Sequence, residues 1–164
     1  MTQQHHVRSS AAVILVKKTK ATGRSTDDIS AFMVQEKNGN WGFVAGSTDP
    51  RETAFKALQR EYGEEVGGVL PRLDAGRAGA PGEPRKFICH HSNGLNTALY
   101  AGFVPKKQAK SDVRSFKPNR EIQAVRLVPL RELHEMVDGR HASMTMRPCA
   151  RGSTAAVLRA MGLK

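Results

Sequence analysis

The sequence predicts a mixed α/β domain. Three observations predict it: apolar runs of strand length recur along the chain, one long segment near residues 53–66 has helical period, and Gly- and Pro-bearing stretches separate them. Ala11–Val16 is a continuous apolar run closed by Lys17-Lys18, the pattern of a buried strand, and Ala31–Gln35 is a second. Thr19–Ser30, between them, is polar and carries Gly23 and Asp27-Asp28, so it reads as a loop. Asn38-Gly39-Asn40 is a turn signal leading into a third strand, Trp41–Gly46. Thr53–Val66 is the clearest helix, with Thr53 as N-cap (Asp49-Pro50 offers an earlier start) and Gly67-Gly68 as its stop. Leu73–Pro84 is a Gly/Pro loop, after which Lys86–His90 and Thr97–Val104 read as a hairpin split by Ser92-Asn93-Gly94. Pro105–Arg120 reads as a basic loop, Ile122–Leu127 as a strand, Pro129–Leu133 as the start of a short helix and Ser153–Met161 as a last one. Strand pairing is not legible from this pattern.

Composition narrows the class. The length of 164 residues suits one domain spanning 1–164, and 39% hydrophobic with 25% charged residues argues against disordered, collagen-like and coiled-coil chains. Residues 1–10 are polar, lack the apolar core of a signal peptide and are expected to be a flexible terminus. No apolar run approaches the roughly 20 residues of a membrane span. Cys89 and Cys149 have neither metal spacing nor a disulfide pattern, which fits a reduced, cytoplasmic compartment. Lys+Arg total 26 against 15 Asp+Glu, a net charge of +11 that predicts attraction to polyanions without choosing among nucleic acid, polyphosphates and acidic surfaces.

The helix at 53–66 carries an acidic constellation. At about 100° per residue, Glu64 lies roughly 60° to one side of Glu61 and Glu65 roughly 40° to the other, so three carboxylates share one face. Ala54, Phe55, Leu58, Tyr62 and Val66 form the neighbouring apolar stripe that should pack on a sheet. Like charges this close, near the negative end of the helix dipole, repel and call for an offsetting cation. Arg60 is one candidate. A hard divalent ion is another, because Mg²⁺ takes a few carboxylates while keeping waters and phosphate ligands. A solvated acidic surface is the plain alternative.

Five residues separate Gly46 from Glu52 and seven more lead to Arg60-Glu61, followed by Tyr62-Gly63-Glu64-Glu65-Val66-Gly67. This spacing resembles the signature of the Nudix hydrolase family, G-x5-E-x7-R-E-U-x-E-E-x-G-U, where U is bulky and aliphatic. Tyr62 and Gly68 depart from the two U positions, and Ala45 stands where many members have a second glycine; none of the three removes a carboxylate. The likeness extends over about residues 10–138, including the run Glu121–Leu133.

The resemblance implies an α/β/α sandwich with a central mixed sheet, and hydrolysis of a nucleoside diphosphate linked to another group. It implies Mg²⁺, with Mn²⁺ as the alternative ion, held by Glu61, Glu64, Glu65 and the backbone carbonyl at Gly46 or Ala45. Glu52 and Arg60 support them, Arg60 fixing helix to loop. The general base comes from this helix or from a later glutamate, here Glu121. Lys106, Lys107 and Arg120 of the basic segment are candidates for holding phosphates, against the reading of a solvated loop. His90-His91 is read as lying on a strand, with one ring facing inward as a hydrogen-bonded core residue and not a catalyst, and Trp41 as packing, with base stacking as its alternative. The expected partner is a small nucleotide or polyphosphate; RNA remains an alternative, a homodimer is left open, and no membrane is involved. Two other functions stay open: a hydrolase of RNA caps or 5′-pyrophosphates, and a non-catalytic RNA-binding module of the same fold, which would have no chemical need for intact glutamates.

Overall fold

The computed structural model describes residues 7–17, 28–74, 84–91 and 94–163; the expected loops at 19–30 and 73–84 lie largely outside them. The first strand, β1 (Val7–Lys17), starts four residues before the expected run and takes in Val7–Ser10. Its middle is buried on both sides, with Ala11, Val13 and Leu15 entering one core and Ala12, Ile14 and Val16 another. That double burial is why the sequence shows a continuous apolar run instead of alternation. Around it lie β2 (Ile29–Glu36), β3 (Trp41–Gly42), β4 (Val44–Ser47), β5 (Arg85–His90), β6 (Asn96–Phe103) and β7 (Ile122–Pro129).

The strands form one mixed sheet in which β1 pairs antiparallel with β2 and β4 and parallel with β6. β5 and β6 form the expected antiparallel hairpin, and β7 lies against β2. The expected single strand Trp41–Gly46 is two strands. The chain changes partner at Phe43, from β2, where Gln35 faces Trp41, to β1, where Ala11 faces Ala45. This switch delivers Ala45 and Gly46 to the mouth of the site.

Helices cover both faces. α1 (Ala54–Val66) packs Leu58, Tyr62 and Val66 onto one face of the sheet, and α2 (Lys106–Ser115) joins it there through Ala109. α3 (Leu130–Val137) and α4 (Pro148–Ala160) cover the other face through Leu130, Leu133, Met136, Val157 and Leu158. The result is the three-layer α/β/α arrangement. α1 is bounded as its residues dictate: the Thr53 hydroxyl accepts the Lys56 amide at 3.2 Å, and Gly67, at φ +89°, closes the helix with a 3.0 Å bond to the Gly63 carbonyl.

Two expectations are corrected. The basic segment 105–120 is not a loop throughout: Lys106–Ser115 is helical, held by burial of Ala109 and by Asp112, which accepts a 2.5 Å hydrogen bond from the Tyr62 hydroxyl. α4 begins five residues before the expected Ser153, with Pro148 in its first turn, where a missing amide costs nothing. No helix among the described residues is long and apolar enough to cross a membrane.

Candidate active site

The segment from β4 into α1 is tied together by Arg60. Its guanidinium donates to Glu52 Oε1 at 2.7 Å, to the Ser47 carbonyl at 3.0 Å, to Glu61 Oε1 at 3.0 Å and to Glu64 at 3.4 Å. Glu52 in turn accepts the Asp49 amide at 2.9 Å. Arg60 and that amide hold the Glu52 carboxyl below its ordinary range, while Glu52 and then Glu61 hold Arg60 still further in its charged form. The loop at 47–52 is thereby fixed against the middle of the helix.

The three signature glutamates do not share one environment. Glu61 and Glu65, one turn apart, are buried against the sheet, while the Glu64 side chain is 54% exposed and pairs with Arg60. Glu61 lies so close to Gly46 that a Cβ there would stand 2.0 Å from Glu61 Cδ. Glu121, just ahead of β7, completes a cluster in which Glu61, Glu65 and Glu121 each offer an oxygen within 4.8 Å of the others. Burial pushes Glu61 above the usual carboxylate value, with Arg60 opposing. Burial, and after it the charge of Glu61, pushes Glu65 up to about 8; the Ala45 amide opposes, and Glu121 and Glu36 add to the rise.

Asn119 holds this geometry from outside. Its side-chain amide donates to the Glu65 carbonyl at 2.9 Å, and its Oδ1 accepts the amides of Glu121 and Ile122, each at 3.0 Å. The turn before β7 is thus fastened to the C-terminal end of α1. A cleft of about 410 Å³ opens beside the cluster, lined by Glu65, Glu121, Arg120, Glu36 and Lys37. Arg120 therefore reaches the acidic site, whereas Lys106 and Lys107, at the start of α2, line none of the clefts that hold the glutamates.

A second cavity, about 250 Å³, lies between the sheet and α4, lined by Trp41, Phe43, Leu99, Cys89, His91 and Arg147 among others. Ala45 lines it while its amide serves Glu65, so pocket and acidic cluster are neighbours across one residue. Trp41 is buried in the core and also forms pocket wall. His90 ends β5 exposed, bonded to Asn96 at 2.7 Å, and His91 bonds Thr97 at 2.8 Å on the pocket wall. Neither ring is a core residue, which corrects the expectation for this pair: the strand ends at His90, and His91 sits beyond it.

The model of the NUDIX domain matches residues 7–147, six-sevenths of the chain. The chain belongs to the NUDIX family. Solved structures of similar fold include a C. elegans Ap4A hydrolase binary complex (15% identity, TM-score 0.57, 93% of this chain and 99% of that one). A mutT/nudix family protein from Listeria innocua (14%, 0.57, 95% and 96%) and a NUDIX hydrolase from Nitrosomonas europaea (19%, 0.51, 95% and 91%) are also similar. No curated protein matches the sequence. As a NUDIX member the chain is a hydrolase of pyrophosphate bonds, from a family that generally uses divalent metals.

The residues present fit such an ion. Hard divalent cations take oxygen donors, and three carboxylates converge here. Glu65 Oε2 is buried with no hydrogen-bond partner among the described residues, a costly state for an ionised oxygen unless a cation faces it. Glu36, Lys37, Asn119 and Arg147 were not singled out by sequence. Glu36 reaches the cluster only because β2 pairs with β7, setting Glu36 opposite Ile122, and such long-range pairing leaves no local signal.

Proposed function

We propose that the chain is a Mg²⁺-dependent pyrophosphohydrolase, with Mn²⁺ as substitute, that cleaves a nucleoside diphosphate linked to another group. The observation that carries this is the convergence of Glu61, Glu65 and Glu121, one Glu65 oxygen being buried with no hydrogen-bond partner among the described residues. Glu61, Glu65 and the Gly46 carbonyl hold the ion, and Glu64, exposed on the same helix, is the further ligand. When bound, the ion neutralises the diphosphate and lowers the pKa of a water. Glu121, on the exposed side of the cluster and oriented through Asn119, takes the proton of the attacking water as general base. Arg60 keeps loop and helix in register. Arg120 on the cleft wall binds phosphate oxygens, and the pocket under Trp41 and Phe43 accepts the nucleoside.

The test presents purified protein with nucleotide sugars, dinucleoside polyphosphates, oxidised nucleoside triphosphates, diphosphoinositol phosphates and capped RNA, with Mg²⁺ or with chelator. The expected result is Mg²⁺-dependent cleavage of at least one nucleoside-diphosphate compound, abolished by Glu65→Gln together with a loss of Mn²⁺ binding. Inactivity across the panel, with metal binding unchanged in Glu65→Gln, would overturn the reading. Cleavage confined to capped RNA would move the substrate to RNA ends, the reading favoured by the +11 charge.

A further inference from the structure

The acidic cleft and the apolar pocket are separate cavities that share one lining residue, Glu36. Its carboxylate receives the Arg147 guanidinium in a close ion pair and the Asn38 side-chain amide at 3.2 Å. Glu36 is also near enough to the cluster for its charge to bear on Glu65. Arg147 is the one Lys or Arg among the residues lining the pocket.

Its position is built from the backbone. The Trp41 amide donates to the Thr145 carbonyl at 2.8 Å, Trp41 and Met146 form an isolated parallel bridge, and Met146 is fully buried with its carbonyl capped by Arg151 at 3.1 Å. Residues 145–147 therefore run as a fixed strap along β3, ending at α4. The strap leaves the Arg147 side chain 51% exposed at the seam between the two cavities. A half-exposed ion pair of this kind contributes little to folding, so stability gives little reason for the arrangement.

Resting on the function proposed above, we infer that Arg147 is a substrate-binding residue that exchanges Glu36 for the phosphate next to the nucleoside. A planar guanidinium matches the paired oxygens of a phosphate as well as those of a carboxylate. A substrate with its nucleoside in the pocket and its diphosphate on the cluster must cross this seam, where Glu36 would otherwise repel it. Arg147 both cancels that repulsion and supplies the one Lys or Arg of the pocket wall among the described residues, which favours nucleosides carrying at least two phosphates over bare nucleosides.

The experiment measures binding without turnover, by calorimetry in Ca²⁺. The probes are α,β-methylene-ADP and its guanosine counterpart, set against adenosine and guanosine. Arg147→Ala is expected to weaken the diphosphate analogue by about 10–100-fold, as loss of a charged hydrogen-bond donor does, while leaving nucleoside binding within about 2-fold. Arg147→Lys recovers part of the loss, and Glu36→Gln, which frees Arg147, binds the analogue at least as tightly as the parent. In turnover Arg147→Ala raises KM far more than it lowers kcat, and its Mn²⁺ titration matches the parent. Analogue affinity unchanged in Arg147→Ala, or an equal loss for analogue and nucleoside, would overturn the inference and leave the metal-site reading standing. A parent that binds neither analogue also overturns the inference, while the reading it rests on is decided separately by the substrate panel and the Glu65→Gln metal titration.

Discussion

At Gly46 the backbone passes so close to Glu61 that the next larger side chain has no room, since a Cβ would lie 2.0 Å from Glu61 Cδ. Gly46→Ala therefore displaces the Glu61 carboxylate without removing it. Expected are a loss of about 10–100-fold in Mn²⁺ affinity and a destabilisation of about 1–3 kcal/mol from overpacking. Parent-like Mn²⁺ affinity would show that Glu61 does not hold the ion. Glu65 gives a pH signature. Its carboxyl, pushed by burial up to about 8 from an ordinary 4.5, keeps its proton in the fold where the unfolded chain has lost it. Its contribution to stability is therefore complete below about 4.5 and is lost as pH rises toward 8. Calorimetry in chelator should show the melting temperature falling across that window, as the unfolding free energy drops by up to about 1.4 kcal/mol per pH unit from this group. Glu65→Gln should flatten the slope, and a slope identical in the variant would refute the assignment.

At the scale of elements, the two departures from the family signature are neighbours in space. Tyr62 uses its hydroxyl to reach Asp112 on α2, and Gly68 packs beside both, with an added Cβ 3.6 Å from Asp112 Oδ1 and 3.8 Å from the Tyr62 ring. Both distances are ordinary van der Waals contacts, so residue 68 lies directly against the Tyr62–Asp112 pair. Asp112 is buried, so Tyr62→Phe leaves its Oδ2 without this donor, Gln108 remaining on Oδ1 at 3.1 Å, and should cost about 1–3 kcal/mol, with α2 loosened. The same substitution in an Asp112→Ala background should cost much less; an equal cost in both backgrounds would mean that the bond joins nothing. This bond also explains what was legible. α1 announced itself because period, N-cap and C-terminal glycine all lie within its own residues. α2 offered only Ala109 and Val113 as apolar positions among lysines and serines, and what holds it comes from residue 62, fifty positions away. The metal-site glutamates were readable from spacing. Their unequal burial was not, because it depends on how α1 rolls against β4, nor were Glu36 and Arg147, which meet across a strand pairing and a strap.

The whole molecule carries +11, and the structure sorts that charge by place. Lys107, Lys110 and Arg114, spaced three and four residues apart, point from one exposed face of α2 and line none of the clefts that hold the glutamates. Lys37 and Arg120 line the acidic cleft itself. Screening at physiological salt acts over about 8 Å, so a charge in the cleft acts on bound phosphate almost unscreened while one on a remote face contributes a weak general field. Removing three charges from the α2 face with Lys107→Gln/Lys110→Gln/Arg114→Gln should therefore change kcat/KM for a small nucleotide substrate by less than about 2-fold at 0.15 M salt. Removing two with Lys37→Ala/Arg120→Ala should cost about tenfold or more, chiefly in KM, since each loses a charge-assisted contact. Equal effects from the two variants would mean that the basic body works as a diffuse attractor. A larger effect of the α2 variant on capped RNA than on nucleotides would assign that face to a polyanion longer than the cleft, because a short diphosphate seated on the glutamates does not extend to it.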